Sequence, residues 1–170
     1  MFDFLKKLFH HEQTSKREKI ISAVLAFGYV IALGMANQKA MQSEWYQALI
    51  KPDVQPPDAV FAIVWTILFV LIGLSGYFAW NFYASNTGRK LFAVFYALNG
   101  LLMAAWTHQF FVKHSVGNGV ISIVGLIIVI EAMIITGFYT NKKSSYLLLP
   151  YLLWILFAMY LNIQYLILNP

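Results

Sequence analysis

Rings and amides at helical spacing are the side chains of this chain best suited to hold a ligand. Three apolar stretches carry them: Phe61, Trp65, Leu68 and Ile72; Asn99, Met103, Trp106 and Phe110; and Tyr151, Trp154, Ala158, Leu161, Asn162 and Tyr165. Residues three and four apart share a helix face, so each stretch presents one aromatic face. A flat, largely apolar ligand could stack on such rings while the amides fix its orientation. As an alternative, the same rings could fill the core or form interfacial belts.

A proline-stiffened loop lies directly before the first of these faces. Proline fixes φ and removes a backbone donor, so the three prolines of this loop cannot lie in a helix interior, although a proline pair suits a helix start. Such a loop loses little extra entropy when it is held in one shape. We therefore predict that residues 39–58 form a lid, with Trp45, Tyr46 and Pro57 against the ligand.

The elements that must position these residues are membrane-spanning helices. Of 170 residues, 60% are hydrophobic and only 11% are charged, whereas a soluble domain carries about 25% charged residues. The apolar runs each reach the ~20 residues that cross a hydrocarbon core, and lipid offers no partner to an open backbone group. The run at 123–130 lacks the alternation of a barrel strand. The sequence predicts an all-α membrane protein, a bundle of five transmembrane helices within residues 19–170, with spans at about 20–38, 59–84, 91–112, 117–140 and 145–168.

Lysine and arginine predict how these spans are oriented. One side of the membrane would hold nine of them and the other side three. The positive-inside rule then puts the N-terminus in the cytoplasm, and the C-terminus and the lid outside, in a multi-pass protein of the plasma membrane. Residues 1–18 form a basic segment, in which we predict a short amphipathic helix at 1–11 on the inner leaflet, with a frayed polar tail as the alternative. We expect the first span to be retained rather than cleaved as a signal peptide.

Classical enzyme chemistry has no visible machinery in this sequence. There is no cysteine, and neither a Ser-His-Asp set nor an acid pair with a water-activating metal can be assembled. His108 and His114 could ligate a heme iron, but they lie off the aromatic face or at a span end, which favours structural roles. The net charge of +5 comes from basic clusters between spans and does not indicate a nucleic-acid partner. We expect no obligatory cofactor.

A row of small residues in the third span suggests a close helix contact. Gly100 and Ala104, continued by His108, lie well around the helix from the face of Trp106. Rows of this kind let two helices approach closely. We predict that Gly100, Ala104 and His108 form a homodimer seam, with ordinary intramolecular packing as the alternative.

Glu131 is the lone acid inside a predicted span. It lies nine residues from Ser122, half a turn out of phase, so the two should not share a face. An acid within a membrane is a functional candidate by default. Glu131 could be a proton or cation site, or a protonated group hydrogen-bonded at a helix contact, and the structural role is favoured.

A signature runs through the lid and three spans. Its residues are Trp45-Tyr46, Leu49, Lys51-Pro52, Pro56-Pro57, Phe61, Val64-Trp65, Trp106, Phe110-Phe111, Pro150-Tyr151, Trp154, Phe157-Ala158, Leu161-Asn162 and Leu168-Asn169. Together they resemble the tryptophan-rich sensory protein and mitochondrial translocator protein family. The match covers about residues 20–169, which include all five spans.

The resemblance implies a five-helix membrane bundle, usually dimeric, whose pocket under the first loop binds porphyrins such as protoporphyrin IX and heme. Members also bind sterols and synthetic benzodiazepine or isoquinoline ligands, and some bacterial members are reported to break down porphyrin in light. By matched position the pocket wall would include Trp45, Tyr46, Trp65, Asn99, Trp106 and Trp154. With the helix faces and the lid, the predicted ligand-binding residues are Trp45, Tyr46, Pro57, Phe61, Trp65, Asn99, Trp106, Phe110, Tyr151, Trp154, Ala158 and Asn162.

Three departures from the family pattern modify this expectation. The family often has tryptophan at the position of Val54, asparagine at Met103 and an acid at Ser122. Their replacement makes the predicted pocket less polar and removes one loop indole. We therefore expect porphyrin binding ahead of photochemical degradation. The sterol motif of animal members is absent, because no basic residue follows Tyr160 or Tyr165.

Three functions are consistent with these observations, in order of preference. The first is a membrane receptor or sensor that captures porphyrin, heme or a similar flat hydrophobic or sterol-like molecule. The second is an enzyme that degrades porphyrin oxidatively in light, with indoles as electron partners. The third is a small transporter of a hydrophobic solute, in which Glu131 would be the candidate coupling site.

Overall fold

Helices account for most of the chain. The computed structural model describes residues 12–41 and 43–170. Within them lie helices α1 (Lys16–Met41), α2 (Glu44–Ala48), α3 (Asp58–Asn81), α4 (Asn86–Thr107), α5 (Val116–Thr140) and α6 (Lys142–Leu168), and strands β1 (Glu12–Gln13) and β2 (Phe82–Tyr83). In this described part, all the helices except α2 are long and apolar enough to cross a membrane. The predicted all-α bundle of five transmembrane helices is confirmed.

Side-chain caps decide where three of the long helices begin. Ser15 and Glu18 form a capping box, in which each backbone N–H donates to the other side chain at 3.1 and 3.2 Å. Ser85 accepts an N–H of the first turn of α4 at 3.1 Å, and Asn141 accepts the N–H of Lys143 at 3.0 Å. These helices therefore start three to five residues before the predicted apolar runs at 20, 91 and 145, because their caps lie in the polar flanks.

The end of the bundle opposite the lid is closed by the two strands. β1 and β2 pair antiparallel, with Gln13 opposite Phe82. The Asn81 side chain donates to the Ser22 hydroxyl at 2.7 Å, and Asn141 donates to the Phe82 carbonyl at 2.6 Å. The second span ends at residue 81 rather than at the predicted 84, because the chain turns into β2 there. The amphipathic helix predicted at 1–11 lies outside the described residues.

Apolar side chains lie both inside and outside the bundle, as expected in lipid. α5 packs along α4 and α6, and α1 packs on α3, which also contacts α6. Ile130 and Leu148 are fully buried between these helices, whereas Leu101 and Leu153 are each 68% exposed on the outer surface. Because lipid solvates apolar surface as well as protein does, close packing and interhelical hydrogen bonds must hold these helices together.

Gly100 provides one such close contact. The Tyr29 ring of α1 occupies the space that a β-carbon on Gly100 would need, and the Tyr29 hydroxyl donates to the Tyr96 carbonyl at 2.9 Å. Gly100 is therefore buried within its own bundle, and its place in the predicted homodimer seam is wrong. Ala104 and His108 remain exposed on the outer face of α4.

Candidate ligand-binding site

A cavity of about 680 Å³ lies under the lid, between α1, α3, α4 and α6. Eight of the twelve predicted ligand-binding residues lie on its wall: Tyr46, Phe61, Trp65, Trp106, Phe110, Trp154, Ala158 and Asn162. The lid and all three aromatic faces thus converge on one space, although contact with a ligand stays a prediction. A volume of this size falls within the roughly 300–1,000 Å³ of small-molecule pockets.

Trp45 and Pro57 lie just outside the wall. Consecutive residues of a helix point about 100° apart, and Tyr46, which is only 4% exposed, takes the inward direction. Trp45 instead stacks on the His114 ring, with a centroid distance of 4.3 Å, and meets the Phe110 ring edge-on at 5.5 Å. Trp45 therefore supports the wall from behind. Pro57 is the N-cap residue of α3 and accepts the N–H of Val60 at 2.8 Å.

Asn99 and Tyr151 lie below the cavity, in the core. The Asn99 amide donates to the Tyr151 hydroxyl at 3.0 Å, and both side chains are almost completely buried. Met103, one turn further along α4, is also buried. The predicted face of α4 does point inward, but only the residues from Trp106 onward line the cavity. Asn99, Met103 and Tyr151 instead fill the core, as in the alternative interpretation of these faces.

Two inner polar side chains of the wall, Trp106 and Asn162, are paired with each other, whereas the buried Trp154 indole N–H has no hydrogen-bond partner among the described residues. The Trp106 indole N–H donates to the side-chain oxygen of Asn162 at 3.0 Å, and the side-chain nitrogen of Asn162 donates to the Val116 backbone carbonyl at 3.1 Å. One amide thus fixes the ring plane of an indole and ties the start of α5 to α6. What the inner wall offers a ligand is mainly ring surface.

The lid is attached to the end of α6 at two places. The Ile50 N–H donates to the Asn169 side chain at 2.9 Å, and that side chain donates back to the Ile50 carbonyl at 3.1 Å. Nearer the cavity, the Tyr165 hydroxyl lies 3.2 Å from the Tyr46 hydroxyl and donates to the Gln55 amide oxygen. Burial raises the pKa of Tyr46 above its ordinary value, so its hydroxyl stays protonated at neutral pH.

A π-helical turn at His108–Val112 brings two successive rings to the cavity. In a regular helix Phe110 and Phe111 would point about 100° apart, yet both are buried and both lie on the wall. The turn closes with the Lys113 N–H on the His108 carbonyl at 2.9 Å. Helical spacing alone selects Phe110 and misses Phe111, since the sequence carries no sign of the wider turn.

Helix α1 supplies a side of the cavity that the sequence did not indicate. Phe27, Val30, Ile31, Gly34 and Met35 all lie on the wall. The first span is apolar on every side, so no polar or aromatic pattern marks an inward face. The one available signal was the spacing of Phe27, Ile31 and Gly34 at i, i+4 and i+7.

The remaining ionisable candidates lie away from the cavity. His108 is exposed, and His114 stacks on Trp45, so neither imidazole is on the wall. Glu131 is exposed on the outer face of α5. No hydrogen bond joins Glu131 to another described residue at a helix contact, which was one of the two roles considered for it, and Glu131 does not line the cavity.

Comparison with known proteins agrees with this architecture. The TspO/MBR family pattern matches residues 20–168. The chain is 36% identical to the tryptophan-rich protein TspO of Chlorobaculum tepidum over 161 residues, which are 90% of this chain and 99% of the relative. It is 36% identical to the protein of the same name from Archaeoglobus fulgidus, across 89% and 97% of the two chains, and 27% identical to the translocator protein of Homo sapiens, across 69% and 70%. The predicted resemblance is therefore confirmed, and the chain belongs to the TspO/MBR family of multi-pass membrane proteins.

Proposed function

We propose that this protein is a membrane receptor, or sensor, that binds porphyrins such as protoporphyrin IX and heme, or a similar flat hydrophobic molecule, in the cavity under the lid. The observation that carries the proposal is the convergence of Trp65, Trp106 and Trp154 on one space of about 680 Å³. Indoles offer large flat faces to an aromatic macrocycle, and each ring contact adds about 0.5–1.5 kcal/mol beyond the area that it buries. Among the described residues, neither His108 nor His114 lies on the wall, so within this part of the chain a heme would be held by its ring faces.

The proposal predicts that removal of two wall indoles weakens binding. In the Trp65→Ala, Trp154→Ala double variant we expect the dissociation constant for protoporphyrin IX to rise at least about tenfold, because two stacking surfaces are lost. The measurement is a titration of the detergent-purified protein in the dark, followed by the change in the porphyrin absorption band. Trp80→Ala is the matched control, since Trp80 lies outside the cavity wall and packs against Arg89, with 4.8 Å between the guanidinium carbon and the ring centre. Equal affinities for the double variant and the wild type would refute the site.

A second candidate function uses the same indoles as electron partners for light-dependent porphyrin breakdown. The observation that favours it is again the three indoles on the wall, which would touch a bound macrocycle. Illumination of the titrated sample separates the two functions. A stable absorption band supports a receptor, whereas loss of the band that requires light, oxygen and the wall indoles supports an enzyme.

For the third function, transport of a solute, Glu131 offers little support as a coupling site, because it faces away from the cavity.

We also propose that the protein forms a homodimer in the plasma membrane, with its N-terminus in the cytoplasm. For the orientation, the support is the charge at the two ends of the described bundle. Lys16, Lys19, Arg89 and the pair Lys142-Lys143 lie at the β1–β2 end, which the positive-inside rule assigns to the cytoplasm. For the dimer, the remaining support is the exposed surface of α4 around Ala104.

A further inference from the structure

Asp58 is the one charged side chain among the described residues that line the cavity. It lies in the first turn of α3, directly after the prolines of the lid, and it is exposed at the cavity mouth. An acid at this position also complements the positive end of the helix dipole. The interaction with the helix dipole does not by itself require a position on the cavity wall, but Asp58 lies there.

Most of the other polar groups on the wall already have partners. Asn162 is held between Trp106 and the Val116 carbonyl, and the Thr66 hydroxyl donates to the Ala62 carbonyl at 2.7 Å. Gln55 donates to the Tyr46 hydroxyl of the lid and accepts from the Tyr165 hydroxyl of α6. A ligand that lays its ring against the indoles therefore meets a largely apolar interior, in which the Trp154 N–H is an unpaired donor, and a negative charge at the mouth.

Lys51, the lysine of the lid that lies against Tyr46, does not line the cavity. Its ammonium donates to the Gln47 side chain at 3.3 Å and lies 5.3 Å from the centre of the Tyr46 ring. Burial is the main cause of the raised pKa of Tyr46, whose ring is on the wall, and the negative charge of Asp58 also raises this pKa.

We propose that Asp58 makes the cavity selective for the charge of its ligand. Among ligands that share one flat hydrophobic ring, those with a cationic or neutral polar end bind more tightly than those with a carboxylate there, so protoporphyrin IX and heme bind but are not the most tightly bound members of the class. The inference rests on the proposed function, because it concerns the polar end of a ligand whose ring occupies the aromatic cavity. Asp58 is partly screened by water, so we expect an effect of about three- to tenfold per ligand rather than an all-or-none choice.

Three porphyrins with one macrocycle and different net charge test the proposal. They are protoporphyrin IX with two carboxylates, its neutral dimethyl ester, and its bis-amide with two dimethylaminoethyl groups, which is cationic at neutral pH. Each is titrated in the dark, in a neutral detergent at low salt, against the wild type and Asp58→Asn. The ratio of the two dissociation constants is taken for each ligand, so that partitioning into micelles cancels.

The expected result is a ratio that depends on ligand charge. Asp58→Asn should weaken binding of the cationic porphyrin about three- to tenfold, strengthen binding of the diacid by a similar factor, and leave the ester unchanged. Asp58→Glu keeps the charge and should keep the wild-type order. Asp53→Asn is the matched control, because Asp53 is an exposed acid of the same loop that does not lie on the wall, and its ratios should all be near one.

Two outcomes would overturn the inference, and they differ in what they say of the proposed function. If all three porphyrins bind saturably but give equal ratios for Asp58→Asn, or if Asp53→Asn gives the same pattern, the charge selectivity is refuted and the aromatic site stands. If none of the three binds saturably, the proposed function fails and the selectivity fails with it. Unchanged affinity for the ester also confirms that Asp58→Asn is correctly folded.

Discussion

Asn162 has two tasks in this protein, and both depend on one amide. Its oxygen holds the Trp106 indole, and its nitrogen holds the Val116 carbonyl at the start of α5. Asn162 is buried on α6 and borders the cavity. An amide at this position is costly to expose to lipid but stabilising inside the bundle, because it joins three helices with two hydrogen bonds.

Replacement of this amide by an apolar side chain of similar size should therefore destabilise the protein and loosen the cavity wall. For Asn162→Leu we expect a loss of about 1–2 kcal/mol of stability, from two broken bonds and an unpaired indole N–H. Thermal unfolding in detergent measures this change, and titration with protoporphyrin IX should show weaker binding. Asn118→Leu on the exposed side of α5 is the control, and an equal shift there would contradict the special role of Asn162.

Asn99 and Asn162 also show what spacing can and cannot predict. Helical spacing placed each of them on an aromatic face, and both are buried, as the cost of exposing an amide to lipid favours. Spacing did not predict whether each asparagine lies at the cavity or deeper in the core, because that position depends on the group with which its amide forms a hydrogen bond. Asn99 meets the Tyr151 hydroxyl in the core, while Asn162 meets an indole at the cavity.

Helix α1 depends on close contacts rather than on a polar pattern. Gly100 of α4 receives the Tyr29 ring, and Gly73 of α3 receives the Phe27 ring, which would lie 2.7 Å from an added β-carbon. The apolar run of α1 was enough to predict that this helix spans the membrane. The sequence could not show which side of α1 faces the cavity, because a glycine on a neighbouring helix reveals a close contact only when the ring that packs against it is known.

A pair of glycine substitutions tests this view of α1. Gly100→Ala places a methyl group in the space of the Tyr29 ring, so we expect a loss of about 1–3 kcal/mol of stability as α1 is pushed away. Gly28→Ala is the matched control on α1, because no atom lies within 4 Å of its added β-carbon. Thermal unfolding of both variants in the same detergent gives the comparison, and an equally stable Gly100→Ala would show that the helices adapt freely.

The assembled protein has apolar surface on all sides, so the sequence cannot point to a dimer interface by hydrophobicity alone. Of the row predicted as a seam, the part at Ala104 and His108 remains on the outer face of α4, while Gly100 is used internally. The chain has no cysteine, which makes single-cysteine cross-linking unambiguous. In membranes we expect Ala104→Cys to form a disulfide-linked dimer on mild oxidation.

The cross-linking control is Leu153→Cys, on the exposed surface of α6, which should remain monomeric under the same conditions. A monomer with Ala104→Cys and a dimer with Leu153→Cys would move the interface to another side of the bundle.

The disulfide-linked dimer is also titrated with ligand. The cavity is built from one chain, so we expect its affinity for protoporphyrin IX to be unchanged.

The π-helical turn at His108–Val112 makes this short segment sensitive to chain length. A π turn contains one residue more than the α-helical turn that it replaces. Deletion of a single residue, such as Gln109, would remove this extra residue and allow regular α-helical pairing, in which consecutive side chains point about 100° apart. The two phenylalanines could then no longer face the cavity together, and the bond from the Ser115 N–H to the Gln109 carbonyl would be lost. A homologue one residue shorter at this point must therefore build a different wall, so the spacing here limits how far site residues can be transferred between relatives.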